Sequence, residues 1–257
     1  GGGRRAGLLS VNDLNYLLEP DLSVAVNVTH KNHYFQSNDY SSTQRAVCIL
    51  NSGADYIDTR ASYLQFKLNI NHTDDTQRVY FGVDGSVLNI IRNVTISTRS
   101  GDEISRITDC NHLNAAINRY RYNREWVETT GQSIGLDGSQ HKREDDVSYT
   151  IPLYLLSDFF GYGRLLPSMI MSGMRIELEF ERPDVAFCLK NDDGTSAGDA
   201  PTFTVSNPYL GLKSVQLTDA TQRALNELSA VNGLEIVYWD WERTQAQYPS
   251  GSTNVHI

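Results

Sequence analysis

The 257-residue chain is short of lysine, cysteine and proline, and each shortage excludes something. Five lysines and 17 arginines face 31 acidic residues, a net charge of −9. Bulk attraction to nucleic acid, which needs a net basic field, is therefore not expected. Three cysteines (Cys48, Cys110 and Cys188) are odd in number, far apart and without a C-x-x-C spacing. They read as reduced, buried thiols of a protein made inside a cell, not as a disulfide framework. No stretch approaches the ~18 uninterrupted apolar residues of a membrane-spanning helix, and the first residues hold no signal-peptide-like apolar block. Seven prolines and a hydrophobic fraction of 40% exclude a disordered chain. A chain of this length buries roughly 70–75% of its unfolded surface, so a core is expected without disulfides or metals.

Motifs that carry chemistry are also scarce. A P-loop, an H-E-x-x-H pair and a dinucleotide-binding G-x-G-x-x-G are absent. His30 and His33 form an H-x-x-H with Asp39 nearby, but residues three apart on an extended segment point to opposite faces, so no metal site is expected. Asn191-Asp192-Asp193-Gly194 lacks the spaced carboxylates of a calcium loop and reads as a turn. Asp74–Asp75 reads as a hairpin tip, and the N-x-[ST] matches at Asn27, Asn71 and Asn93 as chance. No catalytic residue, metal, cofactor or small-molecule substrate is expected.

What is present is a period of two. Leu64, Phe66, Leu68 and Ile70 alternate with Gln65, Lys67 and Asn69; Met174, Ile176, Leu178 and Phe180 alternate with Arg175, Glu177, Glu179 and Glu181. Such alternation marks strands with one face in a core. Weaker versions lie at 23–28, 45–50, 78–81, 87–99, 147–153, 202–205 and 212–217. Many strands with few helices between them predict an all-β antiparallel sandwich or jelly roll with short helical insertions. The expected helices are 10–18, 112–121 and 218–231, the last capped by Asp219 with Ala220, Ala224, Leu225, Leu228 and Val231 on one stripe and Gly233 as its stop. The stretch 155–171 reads as a broken helical excursion, and 36–44, 128–146 and 190–201 as long loops.

Two segments suggest contact surfaces. Arg119, Tyr120, Arg121, Tyr122 and Arg124, with Trp126 close by, interleave basic and aromatic residues. That combination serves single-stranded nucleic acid or subunit contacts, and the net acidic chain favours the second. The arginine excess and 14 tyrosines point the same way. The stretch 233–241 reads as a fresh strand with apolar residues on both faces (Ile236 and Tyr238; Val237, Trp239 and Trp241), buried against a further domain or subunit.

Three runs carry a resemblance. GSVLNIIRNVTISTRSGDEISRITDCNHLNAAINRY (85–120), IPLYLLSDFFGYGRLLPSMIMSGMRIELEFE (151–181) and the stretch 212–241 ending in GLEIVYWDW cover about half the chain. They resemble, in order, segments of the double jelly-roll major capsid proteins of polinton-like viruses and related small eukaryotic double-stranded DNA viruses. The resemblance implies an eight-stranded jelly roll, with 151–181 as strand F, a helical insertion and strand G. Leu155, Leu156, Phe159, Phe160, Leu165 and Leu166 would then pack between sandwich and insertion. It implies an N-terminal arm at 1–22 (Arg4, Arg5, Leu14, Leu18), a first jelly roll at 23–232, and at 233–257 a linker and the opening strand of a second. It further implies a structural, non-enzymatic subunit of a virion, assembled inside the host cell. Homotrimers would form pseudo-hexameric capsomers in an icosahedral shell, with penton and minor capsid proteins as partners and packaged DNA as a further contact of the arm. A single jelly-roll vertex protein and a carbohydrate-binding jelly roll are the alternatives.

Overall fold

The computed structural model describes residues 25–243 apart from 52, 54, 73–76, 83–84, 137–145, 164, 192, 196–197, 199–200 and 234. The expected arm, its helix at 10–18, Arg4, Arg5, Leu14, Leu18 and the Asp74–Asp75 turn lie outside the described residues.

Eight strands carry the architecture: β1 (Ala25–Tyr34), β2 (Arg45–Ile49), β3 (Tyr56–Asn71), β4 (Ile91–Ser97), β5 (Glu103–Ile107), β6 (Asp146–Pro152), β7 (Arg175–Phe180) and β8 (Thr202–Leu217). They pair antiparallel in two sheets, one in the order β1-β8-β3-β6 and the other β2-β7-β4-β5. Consecutive strands alternate between sheets at the start and close again at β8, which is the winding of a jelly roll. Short strands Asp39–Ser41 and Leu165–Leu166 join the first sheet, and Gln77–Phe81 pairs with Phe187–Asn191 as a third. The protein is an all-β antiparallel jelly-roll sandwich with short helical insertions. No helix among the described residues is long and apolar enough to cross a membrane.

The alternation read in the sequence is the core. On β3, Leu64, Phe66, Leu68 and Ile70 are buried, and on β7 Ile176, Leu178 and Phe180 are, each row facing its counterpart across the sandwich. Fully burying one such side chain contributes about 1.5–3 kcal/mol. The β7 register places Ile176 and Leu178 between Ile96 and Val94 of β4 and Cys48 and Ala46 of β2, so one apolar row crosses three strands.

Some elements differ from the sequence reading. The stretch 87–99 opens as a 3-10 turn, Val87–Ile90, before β4, because all four residues of that turn are buried and a two-sided alternation has no place there. The strands expected at 202–205 and 212–217 are one, β8. Asn207 adopts φ 50°, the register shifts between Ser206 and Tyr209, and the Asn207–Pro208 pair that reads as a break is absorbed as a bulge. The expected loop 36–44 contains a short strand, and 128–146 opens helically through a wide turn at Val127–Gly131. Asn191–Gly194 is the expected turn, with the Gly194 N–H on the Asn191 carbonyl at 2.8 Å.

Two helices matter to the site: α1 (Cys110–Arg121) and α2 (Asp219–Asn232). At α2 the cap is Thr218 rather than Asp219: its Oγ1 accepts the Thr221 N–H at 3.4 Å and its carbonyl the Gln222 N–H at 2.9 Å. Gly233, at φ 73°, ends the helix in the left-handed conformation that glycine adopts without strain.

Candidate subunit-contact flank

One flank of the sandwich is built from α1, the excursion between β6 and β7, and residues 235–243. The excursion joins the sixth and seventh strands, F and G when the eight are lettered from A. It runs through two 3-10 turns, Leu153–Leu155 and Asp158–Gly161. Its apolar side chains are the anchor: Leu155, Leu156, Phe159, Phe160 and Leu166 are buried, and Phe159 meets Phe160 edge-on at 5.4 Å. Thr59 of β3 donates to the Phe160 carbonyl at 2.6 Å, and Ser157 Oγ accepts the Phe159 N–H, so the broken backbone is satisfied without regular helix. Leu165 departs from the expectation. It pairs with Asp58 at the sheet margin and stays 38% exposed, because neighbouring side chains on a strand point to opposite faces and Leu166 takes the inner one.

The arginine–tyrosine run splits into an inward and an outward set. Tyr122 stacks on Trp126 with ring centres 3.7 Å apart and planes 11° from parallel, and the Trp126 indole N–H reaches the Tyr154 hydroxyl at 3.4 Å. Burial in this stack pushes the Tyr122 phenol up to about 12. Arg121 sits 3.6 Å from the Asp158 carboxylate and ties α1 to the excursion. Tyr120 is turned outward and 90% exposed, while Arg124 is exposed and pairs with Glu128 four residues on. The side chain of Arg119 lies outside the described residues.

Residues 235–243 lie against this frame. The Tyr238 hydroxyl donates to the Ile104 carbonyl and its ring meets Phe159 edge-on at 5.4 Å; Ser105 Oγ donates to Asp240 at 2.9 Å; Tyr162 donates to the Glu235 carbonyl at 2.9 Å; Arg243 pairs with Asp109. Among the described residues the expected strand is not formed: 235–243 pair with no described strand and carry no regular structure. Nor are the tryptophans buried. Ile236 and Tyr238 are half-buried, but Val237, Trp239 and Trp241 face outward, Trp239 with 79% of its surface free. Tyr120, Leu113, Ile117, Trp239 and Trp241 border an open groove of about 660 Å³ with Arg121, Asp158 and Asp240 along it. Such a combination, aromatic walls with a few charged groups, suits a partner surface.

Elsewhere the sites weighed in the sequence separate. His30 is exposed and His33 half-buried, its Nδ1 accepting the Asn51 N–H at 3.4 Å; burial, then Lys31, holds His33 below its ordinary value. Among the described residues no three His, Cys, Asp or Glu side chains gather as metal ligands. Cys48 and Cys110 are buried cysteines in no disulfide, and Cys188 is half-buried, short of the full burial expected. Burial pushes Cys48 up to about 12. One pattern that sequence reasoning passed over is Gly131-Gln132-Ser133-Ile134-Gly135, which has the spacing of a hydrolase nucleophile elbow. It sits on a helical turn, not a strand-to-helix corner. Ser133 Oγ faces the Thr130 and Thr150 carbonyls at 2.7 and 3.0 Å, which holds its proton and leaves no activated nucleophile.

No protein-family model and no curated protein matches the chain. Among solved structures, the Faustovirus major capsid protein superposes with a TM-score of 0.53 at 8% identity, over 85% of this chain and 60% of that one. The fold is the jelly roll of that capsid protein. The PBCV-1 virus capsid, and PBCV-1 VP54 fitted into a reconstruction of the virophage Sputnik, give TM-scores of 0.48 at 10% identity, over 77% of this chain. The chain spans 44–60% of the length of these matched chains.

Proposed function

We propose that the protein is a structural subunit of an icosahedral virion that acts by self-association and catalyses no reaction. The observation that carries this reading is the flank just described: a jelly roll whose core is complete, yet which leaves Tyr120, Trp239 and Trp241 standing free along one apolar groove. Exposed aromatic rings around a groove of this size are characteristic of surfaces that another protein covers. The likeness in fold to the Faustovirus capsid protein supports the reading.

In the finer form of the proposal, 23–232 is the first of two jelly rolls, 233–257 leads into the second, and a neighbouring chain of the same capsomer covers the aromatic groove. Three chains then make a pseudo-hexameric capsomer, with pentons and minor capsid proteins beside it and Arg4 and Arg5 reaching packaged DNA. Negative-stain microscopy of the full-length product tests this: shells or uniform three-lobed capsomers support it, and dispersed single particles of one chain contradict it.

A second reading gains one observation. Buried tryptophans would argue against a carbohydrate-binding module, but Trp239 and Tyr120 are free, with Asp158, Asp240 and Arg121 alongside, as a sugar-stacking platform needs. A glycan array separates the two: specific binding lost in Trp239→Ala favours the module, and an empty array favours the capsid subunit.

A further inference from the structure

A second apolar surface lies along α2. Leu225, Leu228 and Val231, on one stripe of the helix, are 37%, 58% and 83% exposed. Leu225 and Leu228 line a cleft of about 820 Å³ together with Leu165, Ile170, Leu217 and Val237. An amphipathic helix presents such a stripe to an apolar partner, and here none of the described residues closes over it.

The register of the first sheet says which segment of the chain is brought there. Ala25 pairs with Leu217, the last residue of β8, and α2 begins two residues later at Asp219. Ala25, Tyr56, Val215 and Leu217 form a small hydrophobic cluster of their own at this corner, and Tyr56 and Leu217 also line the cleft. The chain that precedes Ala25 therefore leaves the sheet at the root of α2. Seven residue steps from Ala25 back to Leu18 span at most about 23–25 Å, and α2, at 14 residues, is about 21 Å long. The segment before Leu18 can thus reach the whole helix. It carries Val11, Leu14 and Leu18 at helical spacing, ended by Pro20, an apolar stripe to match the exposed one. A tether this short raises the local concentration of the segment to the millimolar range.

We infer that residues 8–18 of the same chain dock along α2 and cover Leu225, Leu228 and Val231. The inference stands apart from the capsid reading, since it needs only the register and the two stripes. Disulfide trapping in the full chain tests it, with Cys188→Ser in the background. Leu14→Cys with Leu228→Cys forms an intramolecular bond under mild oxidation, at least tenfold above a control pairing Leu14→Cys with Thr95→Cys on the outer face of the second sheet. A bond joining two copies, or no excess over the control, overturns it. Hydrogen exchange supplies a second readout: Leu14→Asp with Leu18→Asp accelerates the α2 amides about tenfold or more and leaves those of β3 unchanged. Unchanged α2 exchange overturns it as well.

Discussion

The outer face of the second sheet and the aromatic flank are both polar-rimmed surfaces of the same sandwich, and they are finished to different degrees. On the sheet, the charges answer one another within the chain: Glu177 lies 3.3 Å from Arg45 and 2.6 Å from Arg175, Glu179 meets Arg92 at 3.7 Å and Asn93 at 2.7 Å, and Glu103 meets Arg106 at 3.0 Å. On the flank, Arg121 and Asp158 are paired, but the rings beside them face solvent. Arginine in excess of lysine points in the composition to subunit contact, yet Arg45, Arg92, Arg106 and Arg175 lie on carboxylates of the same chain. The aromatic residues, not the guanidinium groups, single out the surface that this chain leaves exposed.

The largest effect belongs to what both regions share, the core. Phe160→Ala removes a fully buried ring packed on Phe159 in the excursion, and about 3–5 kcal/mol of stability goes with it, read as a lower denaturation midpoint. If the flank alone loosened and the midpoint held, the two regions would be independent units. Next is Gly211 on β8, which lies under the Tyr63 ring: an added Cβ would come within 2.4 Å of Tyr63 Cζ. Gly211→Ala is expected to cost about 1–3 kcal/mol, and Tyr63→Ala in the same chain to recover part of it.

The thiol of Cys48 gives a pH signature. Its folded value, about 12, stands above the ordinary 9.0, so the neutral form is the one the fold accepts. Its contribution is constant below pH 9 and is lost as pH rises from 9 toward 12, and thiol reagents at pH 8 should label Cys48 only at the rate of unfolding. The smallest effect sharpens the comparison directly. Glu177→Gln on the finished sheet breaks exposed pairs to Arg45 and Arg175 and should shift stability by no more than about 0.5 kcal/mol, less still at high salt, without altering association.

The strands that alternate cleanly were legible because one face of each is dry: β3 and β7 could sit in only one register. The excursion was legible too, since Leu155, Leu156, Phe159 and Phe160 have no polar alternative and Gly161, Gly163 and Pro167 interrupt any long helix. β5 escaped because its central inward residue is Ser105, buried by hydrogen bonds to Ser157 and Asp240 and not by hydrophobicity. β8 was split because Asn207–Pro208 has the chemistry of a turn, and only its pairing on both sides shows it as a bulge. At the site, the stretch around Trp239 departs from its sequence pattern for a definite reason. An apolar row on both faces describes a buried strand and an uncovered contact surface equally well, and the difference lies in what packs beside it.

Sedimentation of the full-length product across micromolar concentrations tests the central claim most directly, with Trp239→Ala/Trp241→Ala as its comparison. The account predicts particles of three chains that revert to single, still-folded chains on the double substitution. Single chains at every concentration, or trimers indifferent to the loss of both rings, would contradict it.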